Sequence, residues 1–156
     1  KRTSSCNTKL KTQNSYNEIY KKVKDSNLFL GGHCNFSHNE VSKTFKLLAN
    51  HSKIRITANY HFIDDWNGEY GYMKLNGNVI WTKKSTHNRS NKDKITEKIH
   101  NISSCGNYEH LDNLSESIDI TVSNSDNEVT LSFGSTIKKD PCEQSFGVDD
   151  IIVYVK

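Results

Sequence analysis

The sequence contains a single proline, a single methionine and no long apolar run. A helix that spans a membrane needs about 20 consecutive apolar residues, so we expect no membrane span within this chain. Apolar side chains make up only 33% of the residues, but they are gathered into short alternating runs and are not spread evenly. This concentration favours a folded domain with a thin core over a disordered chain.

Several signatures of common enzyme folds are also missing. The glycine-rich motifs of dinucleotide-binding and P-loop proteins do not occur, and no convincing long helix separates the strand-like runs. Parallel α/β folds need such helices between consecutive strands, so these folds are excluded together with the enzymes built on them. At 156 residues the chain suits one domain.

Alternating apolar residues predict β-strands. The clearest alternation runs from Ile54 to Phe62, as in a strand with one buried face. Similar short runs recur along the chain and are separated by turn residues. We therefore predict an all-β fold over residues 28–156, a jelly-roll or galactose-binding-like β-sandwich of about 8–9 antiparallel strands. Residues 1–27 are expected to form an N-terminal arm or a short helix.

The pair Asn76-Gly77 predicts a β-hairpin. These residues readily take the two left-handed conformations of a type I′ turn, and a two-residue loop fixes the register of the flanking strands. The expected cross-strand pairs are Leu75 with Asn78, Met73 with Ile80 and Tyr72 with Trp81. Because Trp81 alternates within a strand, we expect it in the core.

Four widely spaced cysteines, with no Cys-x-x-Cys pair, favour disulfides over a zinc site. Three connectivities are open to Cys6, Cys34, Cys105 and Cys142, and we favour Cys6–Cys34 with Cys105–Cys142. The segment from His33 to His38 contains one cysteine only, so it does not predict zinc. No hydrophobic leader follows the first residue. We expect a mature or excised piece of a secreted or cell-surface protein that uses the secretory pathway.

A carboxylate cluster precedes the hairpin, in the segment Asp64-Asp65-Trp66-Asn67-Gly68-Glu69. Calcium binds six to eight oxygen ligands, often from irregular loops, although the spacing here does not match an EF-hand. One hypothesis is therefore a structural calcium ion held by Asp64, Asp65, Glu69 and Asp149. The alternative is that these acids cap turns and pair with nearby lysines or backbone amides.

Trp66 is the best candidate in this loop for a ring that stacks on a sugar or anchors a partner. The corresponding ligand site comprises Trp66, Asp65, Glu69 and Asn67. The alternative places the Trp66 ring back over the edge of the sandwich. A glycosidase would need two facing carboxylates, as Asp65 and Glu69 could supply, but nothing selects them for that role. We predict no enzymatic activity.

Positive charge is concentrated in residues 83–100, which carry six Lys or Arg against two acids. The residues of this basic patch are Lys83, Lys84, Arg89, Lys92, Lys94 and Lys98. Such a patch could meet sulfated glycans or an acidic partner, and the alternative is a solvated loop. A net charge of +3 gives no reason to expect nucleic acid as a partner.

With these motifs assembled, the chain resembles a family of extracellular β-sandwich modules from apicomplexan and ciliate surface and secretory-organelle proteins. The family pattern joins an Ile-Asp-Ser-Trp-Asp-x-Glu segment to a later Asp-Pro-x-Asp-Glu-Ser-Trp-Gly-Val-Asp-Asn segment. Matching positions include Leu30-Gly31-Gly32, Val41-Ser42-Lys43-Thr44-Phe45, Phe62-Ile63-Asp64, Trp66, Glu69, Asp140-Pro141, Glu143, Ser145 and Gly147-Val148-Asp149. The chain departs from the pattern at Asp65, Phe146 and Asp150, where the family has Ser, Trp and Asn.

This resemblance implies a non-enzymatic module, similar to galactose-binding-like and galectin-like jelly rolls, within larger cysteine-rich proteins. The implied function is adhesion or protein-complex assembly at a parasite or protist surface, with another protein as the partner. The alternative is a carbohydrate-binding lectin domain that is assisted by calcium or binds glycosaminoglycan. Because a fold does not fix a function, both expectations have to be argued from the site.

Overall fold

The computed structural model describes residues 3–5, 28–47, 49–86 and 115–156, which form two antiparallel β-sheets. The strands are β1 (Thr3–Ser5), β2 (Leu28–Gly31), β3 (Val41–Lys46), β4 (Lys53–Asp64), β5 (Asn67–Leu75), β6 (Asn78–Thr86), β7 (Glu116–Ser123), β8 (Glu128–Ser135) and β9 (Gln144–Val155). Within these ranges there is no helix, and hence none that could cross a membrane. The predicted all-β sandwich is confirmed.

The order of the strands is β1-β2-β9-β4-β7 in the five-stranded sheet and β3-β8-β5-β6 in the four-stranded sheet. From β2 onward, consecutive strands alternate between the two sheets, except that β5 and β6 form a hairpin. Eight strands connected in this way make a jelly roll. Thr3–Ser5 pairs with β2, so this part of the predicted arm is a strand, whereas residues 6–27 lie outside the described residues.

The alternation along β4 places one face of this strand in the core, as predicted. The buried residues on this face are Ile54, Ile56, Ala58, Tyr60 and Phe62, each at most 4% exposed, and Ile63 and Asp64 are also buried at the end of the strand. The same core includes Met73, Leu75, Leu131 and Phe133 from the four-stranded sheet. One layer of side chains between the sheets therefore holds the sandwich together.

Tyr60 lies in this layer and links the two sheets. Its hydroxyl donates a hydrogen bond to the carbonyl oxygen of Gly134 at 3.0 Å. Burial raises the pKa of Tyr60 well above its usual value, so this donor stays protonated. A Cβ at Gly71 would lie 2.6 Å from the Tyr60 ring, so any residue other than glycine at this position would clash with the ring. The ring also stacks on Phe146, with centroids 5.3 Å apart.

The turn at Asn76-Gly77 joins β5 and β6 with φ angles of 48° and 83°, as the type I′ prediction requires. The pair next to the turn is as expected, but a register shift further along pairs Met73 with Trp81 and not with Ile80. The predicted register is therefore wrong by one residue on the β6 side. This bulge brings the Trp81 ring to 5.4 Å from that of Tyr60, against the core.

A disulfide joins Cys34, in the turn after β2, to Cys142, in the loop before β9. The predicted bridges Cys6–Cys34 and Cys105–Cys142 are therefore wrong, and Cys6 and Cys105 themselves lie outside the described residues. The physical reason is topological, because β2 and β9 are neighbours in the sheet. The turn after one strand meets the loop before the other, and the Cys34 amide donates to the Pro141 carbonyl oxygen at 2.9 Å.

Candidate functional site

The carboxylate segment connects β4 to β5 at one end of the sandwich. Asp64 has a φ of 66° and Gly68 a φ of 101°, so the chain turns sharply on both sides of Trp66. The loop before β9 lies against this connection, where the Asp65 amide donates to the Glu143 carbonyl oxygen at 3.5 Å. Two acidic loops therefore meet at this end of the molecule.

Asp64 is fully buried and has a histidine partner. Nδ1 of His33 lies 2.7 Å from Oδ2 of Asp64. A carboxylate taken out of water costs free energy unless protein groups replace its hydration. The contact supplies such a group and ties the turn after β2 to the end of β4, so Asp64 serves the fold at this corner.

The other two carboxylates of the loop also have protein partners. Nζ of Lys139 lies 3.3 Å from Oδ2 of Asp65. Oε2 of Glu69 accepts hydrogen bonds from the Asn67 amide at 2.6 Å and from Nε2 of Gln144 at 2.8 Å. These contacts agree with the alternative in which the acids cap turns and pair with neighbouring groups.

Trp66 is fully buried, and the hypothesis that it stacks on a ligand is wrong. Its Nε1 donates to the carbonyl oxygen of Ser145 at 2.9 Å, and its ring packs edge-on against Phe62 with centroids 4.8 Å apart. The ring is thus part of the core, deeper than a position over the sandwich edge. The predicted ligand residues that keep some exposure are Asp65, Asn67 and Glu69.

Asp149 does not join the loop carboxylates. It is the cross-strand partner of Asn59, whereas Asp64 is that of Gln144, which is 149 − 144 = 5 positions away along β9. At about 3.4 Å per residue this is roughly 17 Å. Asp149 is instead buried beside His61, whose Nε2 lies 3.1 Å from Oδ2, close enough for an ion pair but not aligned for a hydrogen bond. The predicted four-carboxylate site is not assembled.

One group of three metal-ligating side chains converges within 4.8 Å in the described part of the chain, namely His33, Cys34 and Cys142. The two cysteines are bonded to each other, and zinc is ligated by thiolates and not by disulfide sulfurs. Only His33 is left as a metal ligand in this group, and it already faces Asp64.

Thermal unfolding tests the hypothesis that the acidic loop binds a structural calcium ion. Because the loop carboxylates already contact protein groups, we expect the oxidised protein to melt at the same temperature in calcium and in excess chelator. An ion present at a hundredfold its dissociation constant would add about 2.7 kcal/mol to the free energy of unfolding. A clear rise of the melting temperature in calcium would show that the loop gives up these contacts to hold the ion.

Two residues of the predicted basic patch are described, both on β6, and each has a neighbour. Nζ of Lys83 lies 3.0 Å from Oε1 of Glu116, and Nζ of Lys84 lies 5.9 Å from the centroid of the Tyr70 ring. The remaining residues of the patch, Arg89, Lys92, Lys94 and Lys98, lie outside the described residues. The patch as a whole therefore stays a prediction.

The outer face of the four-stranded sheet carries a cluster that the sequence analysis missed. We call it the Tyr72 surface, and it comprises Glu40, Tyr70, Tyr72 and Lys74. Oε2 of Glu40 accepts hydrogen bonds from the Tyr72 hydroxyl at 3.0 Å and from Nζ of Lys74 at 2.6 Å. The Tyr72 ring covers Gly134, where a Cβ would lie 2.4 Å from the hydroxyl oxygen. Tyr70, two residues earlier on the same strand, is 43% exposed.

The ionisable groups of this surface shift one another. The hydrogen bond from Lys74 lowers the pKa of Glu40, and the same contact raises the pKa of Lys74. Burial and then the hydrogen bond to Glu40 raise the pKa of Tyr72. The period-2 spacing of the β5 residues is the signal that would have located this face, whereas nothing in the sequence ties Glu40 to it.

Replacing Glu40 with glutamine is expected to destabilise the protein near neutral pH, by an amount that shrinks as the solution becomes acidic. A carboxyl group with a lowered folded-state pKa stabilises the fold above its unfolded pKa, and this contribution is lost as the pH falls through the folded pKa. Because the ordinary pKa of Glu40 is 4.5, the difference should be complete above about pH 5 and fade below it. Urea unfolding from neutral to acidic pH measures it. A difference that does not change with pH would contradict the ionic role of Glu40.

No protein-family model matches the chain, and no curated protein matches it either. Among solved structures, the chain is similar to dimeric latent PorU from Porphyromonas gingivalis, with 12% sequence identity and a TM-score of 0.53. The similarity covers 80% of this chain and 10% of PorU, so the chain spans about a tenth of the length of that protein. At this identity the similarity shows the sandwich fold alone.

Proposed function

We propose that this chain is a non-enzymatic, extracellular adhesion or complex-assembly module whose partner is another protein. The observation that carries this proposal is the exposed apolar surface at the end of β9. Five large apolar side chains are exposed among the described residues, and three of them lie within the last four residues of this strand. We call these three, Ile152, Tyr154 and Val155, the β9 patch; Ile152 and Tyr154 share the outer face of the sheet, and Val155 alternates to the other face at the end of the strand.

Among the described residues, the backbone beside the β9 patch also lacks a partner strand on one side. β2 pairs with β9 at Gly147 and Val148, and no described strand pairs with Asp149–Val155 on the side away from β4. An uncovered strand edge presents amide and carbonyl groups with which another extended chain can pair. Apolar side chains gathered beside such an edge are typical of an interaction site.

Other features support a binding module outside the cell. The disulfide Cys34–Cys142 is typical of proteins in oxidising compartments. The acids that a hydrolase would use, Asp65 and Glu69, both contact protein groups in the loop. The resemblance to apicomplexan and ciliate modules supports the same function, as part of a parasite or protist surface or secreted protein.

Substitutions in the β9 patch test this proposal. We expect the pair Ile152→Lys and Tyr154→Lys to abolish capture of the native partner by the immobilised chain, because charges oppose docking on an apolar surface. The matched control is Val79→Lys, on the other sheet, where Val79 is 55% exposed. Cross-linking and mass spectrometry of a native surface extract identify the captured protein. Capture that the patch variants leave unchanged would overturn the proposal.

A second candidate function, carbohydrate binding, is favoured by the Tyr72 surface. An exposed aromatic ring offers an apolar face and a polar tip, and a few placed polar groups then orient a ligand. Tyr70 supplies the exposed ring, and Glu40 with Lys74 supplies an acceptor and a donor further along the same face, on the far side of Tyr72. The basic patch would add affinity for sulfated glycosaminoglycans, and calcium at the acidic loop would assist only if the loop rearranged.

A glycan array probed with wild type and Tyr70→Ala tests this candidate. Loss of signal in Tyr70→Ala, with signal retained in the control Tyr154→Ala, is the expected result if the Tyr72 surface holds the sugar. Binding that is the same in both variants but falls steeply with salt would place the glycan on the basic patch. Absence of binding to every glycan would contradict carbohydrate binding.

A further inference from the structure

We propose that the occupant of the β9 edge is a second copy of this chain. In this dimer the segments 150–156 of two chains pair as antiparallel strands about a twofold axis at Val153. The inference rests on the proposed function, because it names a protein partner for the same edge. Such pairing makes one continuous sheet from the two five-stranded sheets.

The segment is paired with β4 on one side, and no described strand pairs with it on the other. β4 pairs with β9 as far as Val155. Lys156 continues this ladder, because its amide donates to the Lys53 carbonyl oxygen at 2.9 Å. From Ile152 to Val155 the strand is regularly paired with β4, and a strand that is already fixed loses little conformational freedom when another strand is added. The edge is therefore preorganised for pairing.

The segment is also chemically self-complementary. It reads Asp150-Ile151-Ile152-Val153-Tyr154-Val155-Lys156. Antiparallel pairing about Val153 brings Asp150 of one chain near Lys156 of the other, at both ends, with Asp150 just outside the regular ladder because its φ is 49°. It also places Ile152 opposite Tyr154 on both sides of the axis. Opposite charges and aromatic–aliphatic pairs are favourable at directly opposed positions of antiparallel strands.

The side chains that would pair lie on one face of the sheet and are open to solvent. Tyr154 is 42% exposed and Ile152 is 46% exposed. On the β4 side, the guanidinium of Arg55 lies 5.7 Å from the centroid of the Tyr154 ring, which leaves the other side of the ring free for a partner. Asp150 has a φ of 49°, and its Oδ2 accepts a hydrogen bond from Nδ2 of Asn59 at 2.9 Å. Asn59 and Arg55 alternate with the core residues of β4, so these contacts lie on the outer face.

Three strands at sheet edges, β3, β6 and β7, are less suited to self-pairing. The edges of the four-stranded sheet, β3 and β6, carry lysines within their length: Lys43, Lys83 and Lys84. Lysines on an edge strand are a common protection against pairing. β7 has Asp119 near its middle, so antiparallel self-pairing would bring two like charges close together. Between Asp150 and Lys156 the β9 edge has no charged residue.

Charge exchange in a mixture of variants tests the twofold pairing. In sedimentation velocity, the mass of the oxidised chain is expected to rise with concentration from 17.8 kDa toward twice that value. Asp150→Lys and Lys156→Asp should each weaken self-association by about tenfold or more, because each homodimer then opposes like charges at both ends. An equimolar mixture of the two variants should recover association, since every contact between unlike chains again joins opposite charges.

Ile152→Lys is a second disruption, which leaves the left-handed residue Asp150 unaltered, and Val79→Lys is the control that should associate like wild type. Melting curves establish that each variant is folded. Wild type that stays at 17.8 kDa up to about 1 mM, a weak-binding concentration, would overturn the inference. So would a mixture of Asp150→Lys and Lys156→Asp that fails to associate while wild type does.

The two proposals fail in different ways. If wild type is monomeric but the β9 patch variants still lose a native surface partner, the inference is wrong and the proposed function stands. If wild type self-associates through charge-exchangeable contacts but captures the same surface proteins with or without the patch, the edge is a dimer contact and adhesion lies elsewhere.

Discussion

Replacing Trp66 with alanine is expected to lower the free energy of unfolding by about 3–5 kcal/mol, the range for removing a buried large aromatic side chain. Trp66 has no exposed surface, and its ring packs against Phe62. The substitution leaves a cavity and also leaves the buried Ser145 carbonyl oxygen without the indole donor. Urea unfolding followed by circular dichroism measures the loss.

Trp81→Ala is the matched control, because Trp81 is the other tryptophan of the chain and is only partly buried. Its loss of free energy should be clearly smaller. Trp66→Phe separates packing from hydrogen bonding, since it keeps most of the apolar contact and removes the donor to Ser145, at a cost of about 1–3 kcal/mol. Equal losses for the two alanine variants would contradict the central position of Trp66.

Features with a fixed period or a fixed local chemistry could be predicted from the sequence. In β4 the alternation identified the buried residues, because successive side chains of a strand point to opposite faces. At Asn76-Gly77 the turn could be placed, because few residue pairs take two left-handed conformations in succession. Each of these signals is contained in a short stretch of the chain, so it can be recognised from the sequence alone.

The register of the same hairpin needed more than local chemistry. The pairing is regular next to the turn, and its register shifts by one residue between Lys74 and Met73. A strict period of two has no place for an extra residue in one strand. The shift puts Trp81 beside Met73 and against Tyr60, which belongs to the other sheet. Contacts across the sandwich therefore accompany the bulge, and those contacts are not visible in the sequence of the hairpin.

The side-chain directions and partners in the acidic loop could not be predicted from the sequence. Its composition suggested ligands, but the direction of each side chain depends on the left-handed backbone at Asp64 and on partners far along the chain. Gln144, which donates to Glu69, is 75 residues away. An irregular loop has no period from which such directions could be read. The sequence therefore leaves Trp66 either stacked on a ligand or folded over the sandwich edge, whereas it lies in the core.

Replacing both Cys34 and Cys142 with serine is expected to lower the free energy of unfolding by about 2–5 kcal/mol. The bridge joins positions 108 residues apart, and the chain-entropy model assigns about 4.7 kcal/mol to closing a loop of roughly 100 residues. Both cysteines are exposed, so serine hydroxyls remain solvated and add no cost of burying a polar group. The loss measured by urea unfolding therefore reports the cross-link and not a packing defect.

Lys138→Ser is the control for this pair, because Lys138 is exposed in the segment that leads to Cys142 and should tolerate serine with little change. A double serine variant as stable as wild type would mean that the corner between β2 and β9 is held without the bridge. The backbone contact of Cys34 with Pro141 and the contact of His33 with Asp64 would then be sufficient. In that case the oxidising compartment expected for this protein would not be needed to stabilise its sandwich, and the bridge would serve only to keep the corner closed.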